Sequence, residues 1–169
     1  MTGKYNLIQR VVQESTNNSW WLCKEEWFLY DVWHDDEGST CVCGKTGIKN
    51  ICILQNKYNK KMLLVGSCCT EKVLGIPTNN LLERLKIISK DITKALKKLN
   101  HITMFFEKGV LSCSDFKFYN NTYRKRPDSL SSRQLAWRVA INKKIILYMA
   151  ATRKRYVGLY MELQNGACN

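Results

Sequence analysis

The sequence has few of the residues that mark disordered, fibrous or membrane-spanning chains. Its 169 residues include only two prolines and nine glycines, which argues against collagen-like and linker-like chains. The longest unbroken apolar run, residues 145–151, has seven residues, well short of the roughly 18 that a membrane span requires. The first twenty residues lack the apolar stretch of a secretory signal. We therefore expect no membrane partner and an intracellular location, in the cytoplasm or in the nucleoid or nucleus of a host.

Common catalytic motifs are also missing. The sequence has no Walker-type phosphate loop, no dinucleotide-binding fingerprint and only two histidines, His34 and His101. The segment His34-Asp35-Asp36 does not give the H-x-E pattern of zinc deaminases. These absences favour a protein that is not an enzyme, with a small nuclease as a minor alternative.

Acidic residues are scarce outside the first 40 positions. Residues 1–40 hold three basic and seven acidic residues, whereas residues 41–169 hold 24 basic and seven acidic residues, a net charge of +17. A segment this cationic attracts polyanions, of which nucleic acids are the most common. The alternative interpretation is a lysine-rich surface that is simply solvated.

Cysteines are the most informative residues that the sequence does contain. Four of the eight form two tight groups, Cys41-Val42-Cys43-Gly44 and Gly66-Ser67-Cys68-Cys69. Without a secretory signal we do not expect disulfides, and thiolates grouped on two turns are typical of a tetrahedral zinc site. Gly44 suits a tight knuckle, because glycine tolerates a positive φ beside the sulfur atoms.

The residues between the two cysteine groups predict a β-hairpin followed by a short helix. Residues 48–54 and 62–65 are β-prone and flank a polar turn. Ser67 is a candidate N-cap for a helix that ends before Gly75. A knuckle, a hairpin and a helix whose first turn supplies ligands are the elements of a treble-clef zinc module.

Cys41, Cys43 and Cys69 are the metal ligands that this pattern indicates most directly. Adjacent residues on a helix point about 100° apart, so Cys68 and Cys69 need not bind the same ion. The fourth ligand is either Cys68, which is near in sequence, or His34. We expect one structural Zn²⁺ in a closed shell of four ligands, and the alternative is a group of buried free thiols.

This cysteine pattern resembles a small module found in uncharacterised proteins of phages and large DNA viruses. The module has the pattern C-[IV]-C-G, then an apolar strand that ends near Asn, here Asn56, and then [IV]-G-S-x-C. An upstream Glu-Trp pair, here Glu26-Trp27, often accompanies it. The resemblance covers about residues 25–76 and implies metal binding and a viral source. In this pattern Cys69 takes the fixed position and Cys68 the variable one.

Composition divides the chain near residue 76. Residues 1–76 form an aromatic and acidic segment with the zinc module, and residues 77–169 form a basic helical region. We expect the two to make one compact unit. The predicted fold class is α+β, with a small treble-clef-like zinc module packed on two long amphipathic helices.

Apolar spacing predicts the helices. Leucine, isoleucine and alanine recur every three or four positions in one helix of about five turns, at Leu81, Leu85, Ile88, Ile92, Ala95 and Leu99. Ser131 and Gln134 form a capping box that predicts a last helix over residues 132–163. Residues 20–31 also fit a helix by spacing, followed by a loop at residues 34–38.

Two basic clusters are candidate contacts for nucleic acid. They are Arg124-Lys125-Arg126 and Arg153-Lys154-Arg155, and Tyr119 and Tyr123 lie just before the first. Cations interleaved with aromatic rings are typical of single-strand grooves, where the cations contact phosphates and the rings stack on bases. The alternative is that the rings face a core.

These features together predict a zinc-containing, basic, nucleic-acid-binding accessory protein of viral or phage origin, with DNA or RNA as its partner. A second hypothesis is a viral protein-interaction factor that inhibits a host or defence enzyme. Such a factor would use the basic surface to occupy an acidic or nucleic-acid-binding host protein, or use the aromatic N-terminal segment as an anchor.

Overall fold

The computed structural model describes residues 2–75 and 77–165, and the side chains of residues 6–75 and 77–154. These residues fold into two compact units, which we call unit 1 (residues 1–79) and unit 2 (residues 80–169). The boundary lies close to the predicted division at residue 76. The packing of the zinc module on the long helices stays a prediction.

Unit 1 combines a three-stranded sheet with three helices, and a fourth helix begins at its last residue. In chain order the described elements of unit 1 are α1 (Thr2–Gln13), α2 (Trp20–Glu25), β1 (Trp27–Ser39), β2 (Ile48–Asn56), β3 (Met62–Gly66) and α3 (Ser67–Leu74). The sheet is antiparallel with strand order β1-β2-β3. Together with the helices, this sheet confirms the predicted α+β class.

Strand β2 is the central strand and its middle is buried on both faces. Cys52 pairs with Val32 of β1 and with Val65 of β3, and residues 51–54 are all buried. Such an uninterrupted apolar run is what a strand covered on both faces requires. The predicted hairpin of β2 and β3 is confirmed.

The helix predicted over residues 20–31 is wrong in its second half. Helix α2 ends at Glu25, and Trp27 begins a strand of 13 residues. The segment after Trp27 is rich in aromatic and β-branched side chains, and its pairing with β2 prevails over the helical spacing. The predicted loop at residues 34–38 lies within β1, where the register with β2 is irregular between His34 and Ser39.

A buried carboxylate fixes the turn between α1 and α2. Glu26 is only 1% exposed and accepts hydrogen bonds from the backbone of Thr16 at 2.8 Å and of Asn17 at 2.9 Å. It also accepts one from the side-chain amide of Asn56 at 2.6 Å, at the end of β2. Burial alone raises the pKa of Glu26, but these hydrogen bonds lower it to about 2.

Unit 2 is helical in all its described elements. These are α4 (Asn79–Lys90), which begins at the unit boundary, α5 (Leu99–Glu107), α6 (Cys113–Thr122), a 3₁₀ turn (Pro127–Ser129) and α7 (Ser132–Asn165). The predicted capping box at the start of α7 is confirmed, because Gln134 N–H donates to Ser131 Oγ and Ser131 N–H donates to Gln134 Oε1. The predicted last helix is therefore correct and extends over 34 residues.

The long helix predicted from residue 80 to residue 99 is divided in the structure. Helix α4 ends at Lys90, and Asp91 Oδ1 then accepts hydrogen bonds from the backbone and hydroxyl of Thr93. Lys97 has a positive φ of 20°, and α5 begins only at Leu99. A side chain that bonds to nearby backbone in this way competes with helix continuation.

Two buried polar side chains hold the segment between α4 and α5. The Asn142 amide of α7 donates to the carbonyls of Ile92 at 2.6 Å and Lys94 at 2.7 Å. Tyr119 Oη of α6 accepts from the backbone of Leu96 at 3.1 Å and donates to Asn142 Oδ1 at 2.9 Å. These bonds satisfy the carbonyls of Ile92 and Lys94 and the amide of Leu96, which helps to hold the segment in a non-helical conformation.

We expect Glu26→Gln to weaken the pH dependence of the stability of unit 1. The pKa of Glu26 is about 2 in the folded chain, against an ordinary value of 4.5, so the unfolded chain binds more protons between these values. The stabilisation is therefore complete above about pH 4.5 and is lost as the pH falls towards 2. At neutral pH the substitution should cost roughly 2–3 kcal/mol.

Urea unfolding followed between neutral and acidic pH measures this effect. Glu25→Gln is the matched control, because Glu25 is the exposed neighbour of Glu26 and should have little influence. An identical pH dependence for Glu26→Gln and the unmodified protein would contradict the assignment.

Candidate metal centre

The first cysteine pair lies on a tight backbone turn that is tied to the sheet. Gly44 N–H donates to the Cys41 carbonyl, and Cys41 N–H donates to the Lys45 carbonyl, both at 2.8 Å. Gly44 has a φ of 91°, as the sequence predicts for a knuckle. Val42 N–H donates to the Leu64 carbonyl of β3 at 3.0 Å, so the turn has a fixed position beside the hairpin.

The third cysteine comes from the first turn of α3, directly after β3. The helix begins at Ser67, its N-cap residue is Gly66, and Gly75 ends it in the left-handed conformation with a φ of 68°. The predicted N-cap at Ser67 is therefore displaced by one residue. The predicted helix end at Gly75 is confirmed.

These two turns bring three thiols together. The Sγ atoms of Cys41, Cys43 and Cys69 lie within 4.8 Å of one another, and all three residues are buried. In a tetrahedral zinc site with Zn–S bonds of about 2.3 Å, sulfur atoms are about 3.8 Å apart. The three sulfurs therefore fit a single metal ion after small side-chain adjustments.

Local hydrogen bonds favour the thiolate form that metal binding requires. Cys41 Sγ accepts the Gly66 N–H at 3.4 Å. The Cys69 thiol lowers the pKa of Cys41 to about 5 by hydrogen bonding, against the opposing effect of burial, and the backbone amides of Cys43 and Gly66 add to the decrease. The same hydrogen bond raises the pKa of Cys69. Negative charge is thus already favoured at one sulfur of the group.

Neither candidate for the fourth ligand joins this group. Cys68 is exposed, on the same side of α3 as the exposed residues Glu71 and Lys72. The His34 ring is hydrogen-bonded through Nδ1 to Asn50 Oδ1 at 3.0 Å and through Nε2 to Asp36 Oδ1 at 3.1 Å. Among the side chains that the structure describes, the cluster consists of three cysteines.

The first basic cluster lies in the connection between α6 and the 3₁₀ turn, and all three of its side chains are exposed. Arg138 of α7, which is fully buried, forms hydrogen bonds with the backbone of this connection. The Arg138 guanidinium donates to the carbonyl of Lys125 at 3.1 Å and to the carbonyl of Thr122. The cations at residues 124–126 are therefore presented on a backbone with few alternative conformations.

The second basic cluster lies on α7. Lys154 is exposed and Arg153 is partly buried, whereas the side chain of Arg155 lies outside the described residues.

The predicted stacking role does not fit the position of Tyr119. Its ring is fully buried, and its hydroxyl is used in the bonds to Leu96 and Asn142, so no base can reach it. Tyr123 is partly buried, with the Arg124 guanidinium 5.2 Å from its ring centre.

Trp137 and Phe118 form an aromatic surface of unit 2 that was not predicted from the sequence. Trp137 is 40% exposed and stacks on Phe118, with 4.4 Å between ring centres and 10° between ring planes. Its Nε1 donates to Asp115 Oδ1 at 2.9 Å, and Asp115 Oδ2 also accepts from Lys144 at 2.6 Å. The indole is therefore rigidly held. The sequence did contain a signal for this surface, because Arg133 and Trp137 are four positions apart on a helix that its capping box predicts.

No helix in the described part of the chain is both long and apolar enough for a membrane span.

Searches among protein families, curated proteins and solved structures found no match.

Proposed function

We propose that this chain is a zinc-containing accessory protein that binds nucleic acid, with the metal in unit 1 and the nucleic-acid contacts in unit 2. The distribution of charge between the two units carries the proposal. Unit 2 has 18 basic and six acidic residues, a net charge of +12, whereas unit 1 has nine basic and eight acidic residues. A helical unit with this excess of cations attracts phosphate backbones strongly.

The rigid basic connection is the first contact that we assign. Arg124, Lys125 and Arg126 are exposed, and the bonds from Arg138 to the backbone around them limit their freedom. A backbone that is held in place before binding loses less conformational entropy on binding than a mobile one does. Arg153, Lys154 and Arg155 are assigned to the same role by charge alone.

Single strands are the form of nucleic acid that the aromatic surface favours. An exposed indole that is backed by Phe118 offers a flat face to an unpaired base, and base–aromatic stacking does not depend on sequence. Trp137 takes over the role predicted for Tyr119, and Tyr123 remains a second candidate. The exposed cation Arg133, one helical turn before Trp137, is positioned for a neighbouring phosphate.

Zinc is the metal that we assign to the three cysteines, because a cluster of thiolates on two turns suits Zn²⁺. The order of knuckle, hairpin and helix supports a treble-clef-like module. The ion would link the knuckle to α3 and so stabilise unit 1. The resemblance of the cysteine pattern to modules of phages and large DNA viruses is the basis for proposing a viral source.

A second candidate function is protein interaction through α2. Trp21 is 71% exposed and Leu22 is 57% exposed, and large apolar side chains of this kind are common anchors at interfaces. The partner would be a host protein. A pulldown from host extract distinguishes the two functions, because a protein partner held by α2 survives nuclease treatment and is lost in Trp21→Ala.

We expect the triple variant Arg124→Ala, Lys125→Ala and Arg126→Ala to bind all nucleic acids more weakly. Each neutralised phosphate releases counterions, so the slope of log affinity against log salt should fall by up to about three. The backbone carbonyls that Arg138 binds are kept in this variant. Electrophoretic mobility shifts measured across a salt series give the slope.

The control removes three exposed lysines from unit 1, Lys49, Lys57 and Lys72, and so changes the net charge equally. This control should bind almost as the unmodified protein does. Equal losses in both variants would show that only the total charge matters. No binding to DNA or RNA at low salt would refute the proposed function, since electrostatic attraction is then strongest.

Trp137→Ala should weaken binding to single strands by about 1–3 kcal/mol and affect duplexes much less. Trp21→Ala is the matched control, because Trp21 is more exposed than Trp137 but belongs to unit 1. Thermal unfolding shows whether the loss of packing on Phe118 has altered the fold. An equal effect on single strands and duplexes would exclude base stacking by Trp137.

Cys69→Ser should abolish zinc binding and destabilise unit 1, whereas Cys113→Ser should do neither. Cys69 is buried in the thiol cluster, while Cys113 is exposed at the start of α6. Elemental analysis gives the zinc content, and thermal unfolding gives the stability. Protein that is purified without chelator, contains reduced thiols and holds almost no zinc would contradict the assignment.

A further inference from the structure

We propose that the metal centre has three protein ligands and that its fourth coordination position binds a small thiol from solution. This inference rests on the metal binding proposed above. It differs from the closed four-ligand shell that the sequence predicts, and it makes the centre a ligand-binding site as well as a structural link.

Among the residues that the structure describes, the ligand count follows from where the neighbouring donors lie. Cys41, Cys43 and Cys69 face one another, and Cys69 shares the buried side of α3 with Thr70 and Val73. Cys68 is on the solvent side of this helix, about 100° away around the axis. A rotation that brought Cys68 to the cluster would carry Cys69 away from it.

Two further donors of unit 1 are engaged in hydrogen bonds elsewhere. Cys52 of β2 is buried, and its thiol donates a hydrogen bond to Thr78 Oγ1 at 3.7 Å. His34 keeps both ring nitrogens in hydrogen bonds to Asn50 and Asp36.

Burial of the cluster is least complete at two of its three residues. Cys43 is 9% exposed and Cys69 is 7% exposed, whereas Cys41 is 3% exposed. The exposed side chain of Asn6 lies beside Cys43, with its Nδ2 3.5 Å from the Cys43 carbonyl oxygen. We infer that a small ligand would reach the fourth position from the side of Cys43 and Cys69, beside the Asn6 amide. Soft donors suit a metal that is already bound by three thiolates, which indicates a thiol.

Substitution of the metal by Co²⁺ tests this inference, because thiolate-to-cobalt charge-transfer absorption in the near ultraviolet increases with the number of bound thiolates. The full chain is loaded with Co²⁺ in a thiol-free reductant and titrated with 2-mercaptoethanol. We expect the absorption of three thiolates at first and an increase by about one third at saturation, towards a four-thiolate shell.

Cys68→Ser, Cys52→Ser and His34→Gln should each leave both spectra unchanged. Four-thiolate absorption before thiol is added, or a loss of about one quarter in Cys68→Ser or Cys52→Ser, overturns the inference but leaves the metal centre in place. A spectrum that does not respond to the thiol also overturns it. If Co²⁺ and Zn²⁺ do not bind at all, the proposed metal centre fails together with the inference.

Discussion

Irregular backbone that packs against a core needs hydrogen-bond partners, and a few buried polar side chains supply them in both units. In unit 1, Glu26 accepts the backbone amides of the turn between α1 and α2. In unit 2, Asn142 and Tyr119 form hydrogen bonds with backbone groups of the segment between α4 and α5. Arg138 donates to a backbone carbonyl just after α6. These groups are costly to bury unless they are paired, so each of them specifies one conformation of the loop that it holds.

This constraint positions the candidate functional groups. The cations at residues 124–126 lie on the backbone that Arg138 binds, and the indole of Trp137 is held by Asp115, which also belongs to the capping box of α6. The three-cysteine cluster is positioned by backbone groups instead. The knuckle is bonded to β3 through Val42, and α3 follows β3 directly, so the hairpin sets the separation of the two cysteine turns.

Local signals in the sequence were sufficient for features that depend on near neighbours. The knuckle glycine, the hairpin, the helix end at Gly75 and the capping box at Ser131 were all predictable, because each involves residues within a few positions of one another. Residues 92–99 were not, since the hydrogen bonds that hold this segment after α4 ends come from Asn142 and Tyr119, up to 50 positions away. For the same reason, sequence alone did not separate the buried Tyr119 from the exposed Trp137.

The charge of unit 2 connects its stability with its proposed function. A net charge of +12 on about 90 residues opposes folding by mutual repulsion, and the burial of Arg138 adds a desolvation cost that also lowers its pKa. Its Nε has no hydrogen-bond partner among the described residues, so this cost is not fully offset locally. A polyanion bound to the surface would reduce the repulsion, and a ligand that binds only the folded state stabilises it. The nucleic-acid binding that we propose for unit 2 would therefore also stabilise its folded state.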